Sequence, residues 1–63
     1  MITVDLKGPQ GNAFCLMGYA QTLAKNIGVD AEPIIEDMQS GDYKHLCEVF
    51  EKYFGDYVEL VDD

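Results

Sequence analysis

The sequence has little positive charge: four basic residues stand against twelve acidic ones, for a formal net charge of −8 and an isoelectric point near 4.2. Without a basic stripe, the chain lacks the footprint of a protein that grips phosphate backbones, so ordinary nucleic-acid binding is excluded. Cysteine is scarce too. Cys15 and Cys47 lie too far apart to form a sequence-local redox or zinc pair, and both are expected to be buried free thiols. No apolar stretch approaches the roughly 20 residues of a membrane span. The start Met1-Ile2-Thr3-Val4-Asp5 shows neither the basic opening nor the apolar run of a signal peptide. A soluble, cytoplasmic protein is expected. Internal repeats, low-complexity tracts and linkers are also missing, leaving one domain over residues 1–63, near the size at which a single core barely suffices.

What is present is enough to fold. Hydrophobic residues make up 48% of the chain, too many for intrinsic disorder. Ile2, Val4 and Leu6 alternate with Thr3 and Asp5, the period of a strand with one buried face. Lys7-Gly8-Pro9-Gln10-Gly11 then turns the chain, and Asn12 can cap a helix. Ala13, Leu16, Met17, Ala20, Leu23, Ala24 and Ile27 form its apolar stripe, with Gly28 as the stop. Phe14, Cys15 and Tyr19 fall off that stripe and widen it, and Gly18 is expected to let another part of the chain approach closely.

Asp30, Glu32 and Pro33 mark the start of a short helix carrying Ile34, Ile35 and Met38, ended by Ser40-Gly41. Asp42 caps a third helix whose stripe is Tyr43, Leu46, Cys47, Phe50, Tyr53 and Phe54, with Val49 on its edge. Glu48 and Lys52 are spaced as a helix-surface pair, and Gly55 is expected to end this helix as Gly28 ends the first. Tyr57 to Val61 reads as a second strand with Val58 and Leu60 on one face. The expected fold is α+β, a β-α-α-α-β domain with its two terminal strands paired antiparallel and the helices packed on one face.

Chemistry is sparse. The Gly8 to Asn12 turn has no Gly-Lys-Ser or Gly-Lys-Thr and no dinucleotide fingerprint; a capped tight turn is the plain reading, with anion binding at Gly11 and Asn12 as the alternative. His45 and Cys47, two positions apart on a helix, diverge by about 200° and cannot share an ion or a proton, and His45 is expected in solvent. Ile34 and Ile35 spoil a calcium loop between Asp30 and Asp42. No metal, cofactor or catalytic set is expected, and the chain reads as a non-enzyme.

Charge is segregated. Residues 1–29 hold Lys7 and Lys25 against Asp5, net +1, whereas residues 30–63 hold Lys44 and Lys52 against the other 11 acids, net −9. Such an acidic, tyrosine-containing half suits a basic protein surface, or imitates the phosphates of a nucleic acid. The plainer alternative is core tyrosines and solubilising acids. The partner-binding residues expected are Glu36, Asp37, Tyr43, Glu48, Glu51, Tyr53, Tyr57 and Glu59.

Gly8-Pro9-Gln10-Gly11-Asn12-Ala13-Phe14 with Leu16-Met17-Gly18-Tyr19-Ala20, and later Ser40-Gly41-Asp42-Tyr43 and Phe50 to Asp56, resemble short proteins of unknown function encoded by tailed bacteriophages. The resemblance spans most of the chain and brings no functional residues with it. It implies expression in a bacterial host cytoplasm and an accessory role in host takeover or anti-defence. The expected partner is therefore a host protein with a basic surface. Small size and the open edges of a two-stranded sheet add the expectation of a homodimer. The alternatives are a small-ligand binder or sponge, and a phage structural or assembly factor.

Overall fold

The computed structural model describes residues 2–62. Its elements are β1 (Ile2–Asp5), a single 3-10 turn (Pro9–Gly11), α1 (Ala13–Ile27), α2 (Ala31–Met38), α3 (Tyr43–Phe54) and β2 (Val58–Val61). The α+β class and the element order agree with the sequence reading. The strand direction does not: β1 and β2 pair in parallel, Ile2 with Val58, Thr3 with Glu59, Val4 with Leu60 and Asp5 with Val61. Three helices between two strands create four connections, and an even number of reversals brings the chain back in its starting direction. A parallel pair needs such a long crossover, which the helices supply.

Local chemistry fixes the helix ends. Asn12 Oδ1 accepts from the Cys15 N–H at 2.8 Å, Asp30 Oδ1 from Glu32 at 3.1 Å and Asp42 Oδ1 from His45 at 2.9 Å, so each helix starts on a side-chain acceptor. α1 ends on Gly28 at φ 81°, where the Gly28 N–H donates to Lys25 O and Val29 N–H to Ala24 O, a Schellman pair that needs the left-handed conformation. Gly55 ends α3 as expected, but not in the way Gly28 ends α1. Its φ is −60°, and a Cβ there would lie 2.6 Å from the Glu51 carbonyl oxygen, so crowding against the preceding turn, not a left-handed φ, calls for glycine.

The core joins all layers: Val4 and Val58 from the sheet, Leu16, Ala20 and Ala24 from α1, Ile34 and Met38 from α2, and Leu46, Val49, Phe50 and Phe54 from α3. Phe50 and Phe54, one turn apart, meet at 5.3 Å between ring centroids, within the range where aromatic pairs attract. The small residues Ala20 and Ala24 let α1 lie close to α2 and α3. Thr3, Asp5 and Glu59 occupy the opposite, exposed side of the sheet, so the helices cover one face only.

Several finer expectations are corrected. Val49 is buried, while Tyr43 and Tyr53, placed on the α3 stripe from sequence, are 42% exposed; the buried face is rotated toward Leu46, Val49 and Phe50. Cys15 and Cys47 are free but only half-buried. Gly18 has no neighbour within 4 Å of where a Cβ would stand, so its smallness serves no packing within the chain. Among the described residues Glu48 and Lys52 form no ion pair; Lys52 Nζ instead lies 5.5 Å from the Tyr53 ring centroid, a cation–π contact. No helix is long and apolar enough to cross a membrane among the described residues.

Candidate functional site at the edge of β2

The outward edge of β2 follows from the ladder. Ile2 N–H donates to Tyr57 O at 3.1 Å and Leu6 N–H to Val61 O at 2.8 Å. Backbone direction alternates along a strand, so odd-numbered residues of β2 face β1, while Val58 and Leu60 turn their N–H and C=O groups away from it. The outer edge of β1 is partly closed, because Asp5 O accepts from Gly8 N–H at 3.0 Å and Asp5 Oδ1 from Lys7 N–H at 2.9 Å as the chain turns over its end. β2 therefore carries the more open edge.

α3 runs beside that edge. Glu51 and Gly55 line, together with Val58, Glu59 and Leu60, a groove of about 290 Å³. Glu51 and Glu59 are among its lining residues and no cation is. At the other end of the same helix face, Tyr43 and Cys47 feel the Asp62 carboxylate just beyond β2. Burial raises the Cys47 thiol pKa, offset in part by hydrogen bonding to Tyr43, while the carboxylates of Glu51 and Asp62 raise it further. Burial raises the Tyr43 phenol as well, with Cys47 and then Asp62 adding to the shift. This thiol is held neutral, the opposite of an activated nucleophile.

The residues expected to bind a partner separate into groups. Glu51 and Glu59 meet at the groove. Glu48 is exposed on α3, and Tyr53 and Tyr57, 42% and 45% exposed, are available near its C-terminal end. Glu36 and Asp37 belong to α2 and line no part of the groove, and Asp37 is engaged elsewhere. Tyr43 serves a second purpose: its hydroxyl donates to the carbonyl of Gly11, tying α3 to the 3-10 turn. Gly11 itself is buried, and a Cβ there would fall 2.3 Å from the Leu6 carbonyl oxygen. Close backbone approach accounts for this glycine. Asn12, the other half of the anion-binding alternative, supplies its own oxygen to the free N–H of the first helical turn.

His45 was expected in solvent and is instead half-buried at the α2–α3 junction. Its Nε2 lies 2.9 Å from Asp37 O, 3.2 Å from Asp37 Oδ1 and 3.1 Å from Ser40 Oγ. Carbonyl and carboxylate oxygens only accept, so Nε2 carries the hydrogen. Ser40 Oγ in turn donates to Asp37 O at 2.7 Å. Serine, histidine and aspartate are thus adjacent without forming a relay: all contacts converge on one ring nitrogen, whereas a hydrolytic triad uses both. The cluster braces a turn. Its signal in the sequence was the Ser-Gly-Asp cap followed three positions later by histidine. Among the described residues no three metal-ligating side chains gather.

The chain was compared with known protein families, with curated proteins and with solved structures, and nothing matches. The site is therefore read from its own chemistry.

A second surface lies on the outward side of α1. Phe14 is 83% exposed, and Gln10, Cys15, Gly18, Tyr19 and Thr22 line a mainly apolar groove of about 500 Å³ beside it. From Leu6 to Val29 the chain has no acidic residue.

Proposed function

We propose that this is a non-enzymatic bacteriophage accessory protein that binds a basic surface of a host protein in the host cytoplasm, diverting host machinery or a defence system. The phage setting rests on the sequence resemblance. The binding mode rests on one observation: Glu51 and Glu59 line the groove at the open edge of β2 without a cation among its lining residues. In such a place carboxylates raise the association rate of a basic partner, and Tyr53 and Tyr57 nearby offer exposed aromatic anchors. The same charges suit a mimic of the phosphate array that a host nucleic-acid-binding protein recognises.

The working unit in this reading is a homodimer, and α1 supports it better than a sheet edge does. Two copies of a chain of charge −8 repel unless they meet where carboxylates are absent, and the Phe14 face is such a place. Phe14 and Gly18, one helical turn apart, supply a protrusion and an adjacent hollow, the self-complementary arrangement that a two-fold axis requires.

The test is capture of the partner from host lysate. Glu51→Lys with Glu59→Lys abolishes capture, whereas Glu36→Lys, which changes net charge in the same direction away from the groove, retains most of it. Equal capture by both variants overturns the assignment of the groove.

A further inference from the structure

We infer that the partner docks as an extended, basic segment that adds a third strand to the outer edge of β2, in the groove between β2 and α3. The inference rests on the proposed function and adds the conformation and residue pattern of the occupant. Three observations carry it. Val58 and Leu60 direct their backbone groups away from β1, so a row of donors and acceptors at two-residue spacing faces the groove. Only an extended chain matches that spacing. Glu51 and Gly55 line the groove on one side and Val58, Glu59 and Leu60 on the other, so an occupant lies along the strand edge.

The third observation sets the charge pattern. Val58 and Leu60 point their side chains to the helix side, where Glu51 stands, and Glu59 points to the opposite side of the sheet. A strand laid along this edge presents its side chains alternately to those two sides. Basic residues at consecutive positions therefore meet Glu51 with one side chain and Glu59 with the next. A second copy of this chain is a poor occupant, because β1 brings Asp5 and β2 brings Glu59 and Asp62 to the contact.

The experiment uses the isotope-labelled full chain and two synthetic peptides of equal charge. One repeats Val-Lys-Arg-Val; the other replaces every valine with proline, which keeps the charge and removes every second backbone donor on either edge of the peptide. The valine peptide is expected to bind at least about tenfold more tightly and to slow amide hydrogen exchange at Val58 and Leu60, leaving Thr3 on the β1 edge unchanged. Leu60→Pro, checked for folding by its melting temperature, is expected to erase the difference between the peptides. Equal binding of both, or binding of the valine peptide without protection of Val58 and Leu60, or no binding of either, overturns strand addition. The acidic-surface reading survives each of those results if Glu51→Lys with Glu59→Lys still abolishes capture from lysate, so the two can fail separately.

Discussion

The phenol of Tyr43, at the first position of α3, donates a hydrogen bond to the carbonyl of Gly11, 32 positions earlier. It links the third helix to the turn that leads into the first, and Gly11 can sit there only because it has no Cβ to strike Leu6. Tyr43 is therefore a brace as well as an exposed aromatic. Removing the hydroxyl in Tyr43→Phe is expected to cost about 1 kcal/mol, the usual net worth of such a bond. In a domain this small that is a fall of roughly 4–8 °C in melting temperature. Capture of the partner should be unchanged. An unchanged melting temperature with lost capture would make Tyr43 an anchor and not a brace.

The junction between α2 and α3 makes a similar statement about Gly41. A Cβ there would stand 2.9 Å from Cβ and Cγ of His45, and the His45 ring is held by Asp37 and Ser40. Gly41→Ala therefore has to displace the ring or open the turn. We expect thermal denaturation to show a loss of about 1 kcal/mol, from weakened hydrogen bonds. His45→Ala should lose a similar amount, and Gly41→Ala in that background should cost less than in the parent, because Cγ and Cδ2 of the ring are gone and only the Cβ contact at 2.9 Å remains. Additive losses in the double variant would refute the clash as the cause.

These contacts mark the boundary of what the sequence could reveal. Helix starts at Asn12, Asp30 and Asp42, the Gly28 stop and the Leu16, Ala20 and Ala24 stripe were legible because capping and periodicity are local. The parallel pairing of Ile2 with Val58 was not, since strand direction depends on how the helices between them turn in space. The same holds for His45: its helical spacing from Cys47 was readable, but its partners Asp37 and Ser40 lie across a turn. Of the expected residues, charge segregation named Glu51 and Glu59, which line one groove. It also swept in Asp37, whose carboxylate is engaged within the fold, because composition carries no information about which acids are already occupied.

Phe14 provides a prediction that separates self-association from stability. At 83% exposure its ring contributes little to the monomer core, so Phe14→Glu should leave the stability of the monomer within about 0.5 kcal/mol of the parent. Its effect on a dimer should be large, as it places two like charges across the two-fold axis. Light scattering coupled to gel filtration is expected to give twice the chain mass for the parent and the single-chain mass for the variant. A parent that stays monomeric at high concentration removes the dimer from the proposal.

Tyr43 and Cys47 finally fix how stability responds to alkali. Both groups are neutral when protonated, and burial, the first cause in each case, raises both above their ordinary values of 10.0 and 9.0. The folded chain thus binds these protons more tightly than the unfolded chain, and their contribution is fully present below the unfolded values. As pH rises past about 9 the unfolded state loses its thiol proton first, and the contribution disappears as pH passes the raised folded values. Melting temperature should therefore hold steady from neutrality to about pH 8 and fall above pH 9. Cys47→Ala and Tyr43→Phe should each flatten that decline relative to the parent, while the four lysines, common to all three proteins, cancel in the comparison. A decline of equal slope in both variants would show that the pair is not its source.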